Sequence, residues 1–180
     1  MEKCANEHVL ITKEENGQKI VFIPQIIFKG KRTIDWNEVE KYLLRYVGDM
    51  VEITETKEVI YIGKDFPDEY KGSEYTRKIK GSAYGKVKAN LVQGIHEIVE
   101  VATNKRKNEN KKNKHAKTAK YGWYRYDTRF ALPVVSIENK LEGFNVYSAA
   151  LVVRHAVNNR LYLYDIQKIK KETYLPTMDI

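Results

Sequence analysis

The last third of the chain constrains the fold more than any other part. Trp123–Leu132, Phe144–His155 and Arg160–Ile166 are runs of β-branched and aromatic residues, each long enough for a strand. The stretch "SIENKLEG" (136–143) separates the first two, and Asn158-Asn159 makes a tight turn between the last two. Consecutive strands joined by short turns read as an antiparallel meander. The segment "IQKIKKETYLP" then continues as a further strand or an edge segment.

Upstream, the pattern changes. Residues 7–29 ("EHVLITKEENGQKIVFIPQIIFK") predict two short strands around an Asn16-Gly17 turn. Pro24 bends the second strand or places it at an edge. Thr33 or Asp35 caps an amphipathic helix over 35–48, with Trp36, Val39, Leu43 and Val47 on one face and Gly48 at its end. "EVIYIG" (58–63) reads as a short strand and "KDFPDEYKGSEY" as a polar loop. Val87, Leu91, Ile95, Ile98 and Ala102 lay one apolar stripe along a single long helix over 84–107. Gly94 inside it marks a close approach of another backbone. The expected fold class is α+β: helices packed on an antiparallel β-meander, with an added N-terminal hairpin. Residues 1–57 form the hairpin and first helix, 58–180 the second helix and meander, together one compact unit.

Composition narrows the partners. The chain of 180 residues has the length of one ordinary domain. It holds no apolar run of the ~18–20 residues a membrane span needs. "MEKCANEHVL" lacks the basic-then-apolar order of a secretory signal, and the lone Cys4 excludes an internal disulfide and multi-cysteine zinc patterns. A cytoplasmic setting without membrane contact is the expectation. Net charge is +8, and the segment "NKRKNENKKNKHAKTAK" (104–120) sets eight cations against one acid, hence +7 of that total. Such a block attracts RNA or another polyanion, or is an ordinary solvated loop. Lys105, Arg106, Lys111, Lys112 and Lys114 are its candidate contacts. Asp65, Asp68 and Glu69 cluster in "DFPDE", but no HxxxH, CxxC or GxxxxGK[ST] pattern accompanies them. Neither metal-dependent chemistry nor a cofactor is expected.

Strand alternation then sorts the candidates. Tyr124, Tyr126, Thr128, Phe130 and Leu132 share one face of 123–132; Trp123, Arg125, Asp127, Arg129 and Ala131 share the other. Arg125 and Arg129 point the same way about 13 Å apart, a spacing that suits two phosphates or a phosphate and a base. Surface ion pairs through Asp127 are the plainer reading. Thirteen tyrosines against five phenylalanines favour rings with a polar rim, and Tyr124, Tyr126, Tyr162 and Tyr164 offer faces for unpaired bases. Arg154 and His155 sit at a strand end, His155 as a structural residue. His115, the one histidine in the basic block, has neighbouring cations that keep its imidazole neutral, ready to act as base on a ribose 2′-hydroxyl. A solvated surface histidine is the alternative.

The stretches "VIYIGKDFPDEY", "KHAKTAKYGWYRYDTRFALPV" and "LVVRHAVNNRLYLYDIQKIKKET" resemble an uncharacterised family of short proteins from anaerobic Gram-positive bacteria, often near mobile elements. The resemblance runs from about Ile27 to Thr173. From His115 onward the chain is also similar to nuclease-like modules of phage and plasmid polyvalent proteins. Those belong to the barnase–EndoU–colicin–RelE (BECR) group, in which a helical part packs on a four-stranded antiparallel meander. The resemblance implies a site on the meander face built from His115, Arg125 or Arg129, Arg154, Lys170 and Thr173, with tyrosines around it. The expected activity is metal-independent endoribonuclease chemistry: His115 as acid or base, Arg125 and Arg129 holding phosphate, Lys170 supporting the transition state. A binding module for RNA or for a protein partner such as a cognate inhibitor or a host nucleic-acid machine is the alternative.

Overall fold

A computed structural model describes residues 8–30, 32–108 and 119–177. Two short strands open the chain, β1 (Leu10–Lys13) and β2 (Lys19–Phe22). They pair antiparallel around the expected turn, where Gly17 takes φ +85°. Helix α1 (Trp36–Leu43) follows, and the Asp35 side chain accepts a hydrogen bond from the Asn37 amide to cap it. The helix tightens through residues 44–46 and stops before Gly48, at φ +92°. Strand β3 (Met50–Glu52), which the sequence reading passed over, pairs antiparallel with β4 (Val59–Tyr61).

The segment expected to be a polar loop is helical, as α2 (Phe66–Gly72) and α3 (Glu74–Ile79). Phe66 and Tyr70, four apart, are buried together, and Pro67 sits in the first turn, where its missing N–H costs nothing. The Ser73 hydroxyl accepts from the Thr76 amide and starts α3. The single long helix is also corrected. Its stripe is buried as expected, but the helix breaks into α4 (Ala83–Asn90) and α5 (Ile95–Glu100) around a tight turn at 91–94. A Cβ on Gly94 would lie 2.7 Å from Ile23 Cδ1 and 3.3 Å from Val21 Cγ1, so side chains of β2 and the residue after it, not a backbone, press on it. The chain then leaves as strand β5 (Thr103–Asn108).

Three long strands complete the molecule: β6 (Trp123–Val135), β7 (Leu141–His155) and β8 (Leu161–Pro176). They form the antiparallel meander, with turns at 136–140 and 156–160 that place Asn139 and Asn159 at positive φ. The sheet order is β1-β2-β6-β7-β8-β4-β3, with β5 also on β6. Parallel pairs join β2 to β6 and β4 to β8. The hairpin is therefore built into the sheet, and β2, which ends before Pro24, is an interior strand with β1 outside it.

The helices pack on one face of this sheet. Their core includes Val39, Leu43, Phe66, Leu91, Ile95 and Ile98 against Tyr126, Phe130, Leu151 and Ile166. Among the described residues the other face carries two small apolar clusters, one around Ile20, Phe22, Ala131 and Val146, the other around Ala119, Trp123 and Val152. Between these two clusters the second face is polar. Among the described residues no helix is long and apolar enough to cross a membrane.

Candidate nucleic-acid interface

Alternation on β6 divides the candidates between the two faces as the sequence implies, with a consequence for the tyrosines. Tyr126 points into the helix-side core, is wholly buried, and donates to Glu58 Oε1 at 2.9 Å. Burial first, then the bonded Glu58, raises its pKa. It cannot stack a base. Tyr124 packs against the same core, and Lys105 Nζ lies 4.2 Å from its ring centre while bonding Glu58 at 2.5 Å. Tyr124 and Tyr126 therefore do not share a groove with Arg125 and Arg129, because adjacent residues of a strand project to opposite sides. Tyr164 is on the arginine side, edge-on to Trp123 with ring centres 5.1 Å apart.

The open face brings the remaining candidates together. Arg129 lies opposite Ser148 on β7, and Ser148 lies opposite Lys170 on β8. This row places the Arg129 and Lys170 backbones roughly 10 Å apart, two strand spacings. Thr173 occupies the next row, opposite Val146 and then Ala131. Arg154 belongs to the far end of the face, opposite Trp123, where it bonds Glu69 at 2.9 Å. Burial raises the Glu69 pKa against the opposing pull of Arg154.

Two residues outside the candidate set, Gln167 and Lys168, complete the row. The β7–β8 register slips between Ser148 and Ala150, so Gln167 pairs with Ala150 while Ile169 still enters the core. The extra residue, Lys168, has φ +52°, the left-handed region that non-glycine residues seldom occupy. It lines a cavity of about 980 Å³ with Arg129, Ser148 and Ala150, opening where β6 has neither β5 nor β2 beside it. No sequence signal announces a bulge at a lysine.

Charge availability differs among these cations. Arg129 is clamped: Glu14 and Glu172 bond it at 2.7 and 2.9 Å, and Gln18 at 3.2 Å. Burial works against its charge, but the two carboxylates outweigh that and raise its pKa. Arg106 bonds Asp127 at 2.9 Å. Arg125, Lys168 and Lys170 have no carboxylate bonded to them among the described residues; Lys170 lies opposite Ser148 and Arg125 opposite Val152, while the cavity that Lys168 lines also carries Glu55, Glu100, Asp127 and Glu172. His115, Lys111, Lys112 and Lys114 lie outside the described residues.

Beneath β8 is a fully buried ion pair, Lys88 on α4 with Asp165. Burial lowers the Lys88 pKa and Asp165 opposes it. Tyr70 and Tyr75 stand 4.5 and 4.9 Å from the ammonium, ring face toward charge. Asp165 is the one signal that was visible: an acid inside the apolar run "YLYDI".

Comparison with known proteins returns no matching family model, no matching curated protein and no matching solved structure.

Proposed function

We propose that the protein is a ribonuclease-like module of phage or mobile-element origin that binds RNA across the open face of its meander. One observation carries this reading: the middle of the face opposite the helix-side core holds Arg125, Lys168 and Lys170, none bonded to a carboxylate among the described residues, around Ser148, Ala150 and Val152 of the middle strand. Cations around short side chains admit a phosphate backbone, and the lysine-rich segment after β5 adds long-range attraction. Helices on one side of an antiparallel meander are in keeping with a BECR-like fold, here widened by β1–β4.

Binding without turnover is the better-supported form of this reading. An arginine that stabilises a transition state must deliver its charge to the phosphate, and Arg129 already faces two carboxylates. The row Arg129–Ser148–Lys170 favours a second form, metal-independent cleavage with His115 as base. Labelled RNA incubated with the protein in EDTA separates them. Intact RNA with salt-sensitive binding is the expected result; cleavage that disappears in His115→Ala establishes the second form. RNA that neither binds nor breaks removes both.

A further inference from the structure

The two arginines of β6 are held in opposite ways, and the difference assigns one of them a ligand. Arg129 is bonded by two carboxylates. Arg125 is held by a neutral group: its Nη2 donates to Gln167 Oε1 at 3.3 Å. Gln167 in turn donates from Nε2 to Asp165 Oδ2 at 3.0 Å, and the other oxygen of Asp165 accepts from buried Lys88. The chain Lys88–Asp165–Gln167–Arg125 thus runs from the helix-side core to the open face. Its last link orients a guanidinium without neutralising it.

Arg125 Nη1 is buried and has no hydrogen-bond partner among the described residues. A buried unsatisfied donor is costly and calls for a partner. Arg106 stands directly opposite Arg125 across the β5–β6 pair, on the same face. Burial first and the Arg106 charge second lower the Arg125 pKa, with Asp165 opposing them. Each of these features is relieved by an anion.

We propose that Arg125 is a built phosphate site whose unpartnered Nη1 takes the anion and whose Nη2 is held by Gln167, a positioning residue anchored on the Asp165–Lys88 pair. The ligand class is a phosphate group, either a phosphodiester of RNA or free phosphate. This rests on the RNA reading for its biological ligand but not for the site itself. Arg129, by contrast, is a structural clasp tying the β1–β2 turn to β6 and β8.

The test is side-chain NMR of arginine Nε and Nη groups during titration with inorganic phosphate and, separately, with a uridylate octamer, paired with octamer anisotropy. Arg125 signals are expected to shift saturably with both probes. Arg125→Gln is expected to weaken octamer binding about tenfold, and Arg125→Lys less, since it keeps charge but loses the fork. Gln167→Leu is expected to merge the separate Nη signals of Arg125 and weaken binding severalfold, with circular dichroism unchanged. Shifts with phosphate but none with the octamer discard RNA as ligand and keep the anion site. Octamer binding that is indifferent to Arg125→Gln and Arg125→Lys keeps the RNA reading and overturns the site. Unchanged Arg125 signals in Gln167→Leu overturn the positioning role.

Discussion

Two arginines four residues apart, chemically identical and on one face, differ because of what lies two strands away. Glu172 reaches Arg129 from β8, whereas the residue that reaches Arg125 from β8 is a glutamine. Glu172→Gln is therefore expected to tighten RNA binding a few-fold, by removing an acid from the open face; anisotropy titrations measure it. Equal or weaker binding would mean that the Glu172 charge does not bear on the RNA. The buried pair makes a stability prediction. Lys88→Met leaves Asp165 buried with Gln167 as its remaining donor, and is expected to destabilise by about 3–5 kcal/mol in urea unfolding. Lys88→Met with Asp165→Leu is expected to recover much of that loss; no recovery would show that the cost is packing around Tyr70 and Tyr75. The placement of Arg125 and Arg129 on one face was readable from strand alternation. Gln167 and Lys168 were not, because a bulge shifts the facing of every residue beyond it. Lys88 was hidden as one more cation in an amphipathic helix.

At the level of elements, periodicity reported burial more faithfully than it reported continuity. Val87, Leu91, Ile95, Ile98 and Ala102 are all buried, yet the first four belong to two helices and the turn between them, and Ala102 lies past the second helix. The break lies where β2 crowds Gly94, a contact between segments about 70 residues apart that local spacing cannot encode. Gly94→Ala is expected to destabilise by roughly 1–3 kcal/mol, since its methyl would displace Ile23 in a packed core; thermal unfolding checks it, and an unchanged midpoint would contradict it. The α2–α3 segment was missed because its acids and lysines masked the Phe66–Tyr70 spacing. Glu58 joins the start of β4 to β5 and β6 through Lys105 and Tyr126. Burial works to raise its pKa, but the bonds from Lys105, Tyr126 and Thr56 prevail and lower it. A carboxylate with a depressed folded pKa stabilises fully above its ordinary value near 4.5 and loses that contribution as pH falls through the folded value. Glu58→Gln is expected to flatten this part of the acid limb in urea unfolding across pH 6 to about 3. An unaltered limb would show that Glu58 is not among the groups that set it.

Across the whole molecule, the meander and the α+β class were legible because each strand carries its own signal and each turn its own residues. What joined the rest to it was not legible. The parallel contacts of β2 with β6 and β4 with β8 link segments roughly a hundred residues apart in sequence and rest on two paired residues each. They tie β1–β2 and β3–β4 into the sheet whose one face carries the helix-side core, while the middle of the other face holds Arg125, Lys168 and Lys170. The account stands or falls on that face carrying the polyanion. The most direct measurement is the salt dependence of RNA affinity for the intact chain and for Lys168→Gln/Lys170→Gln. The intact protein is expected to show a log–log slope of several released counterions, and the variant a slope smaller by roughly one for each lysine removed. A flat slope in the intact protein, or an unchanged slope in the variant, would contradict it.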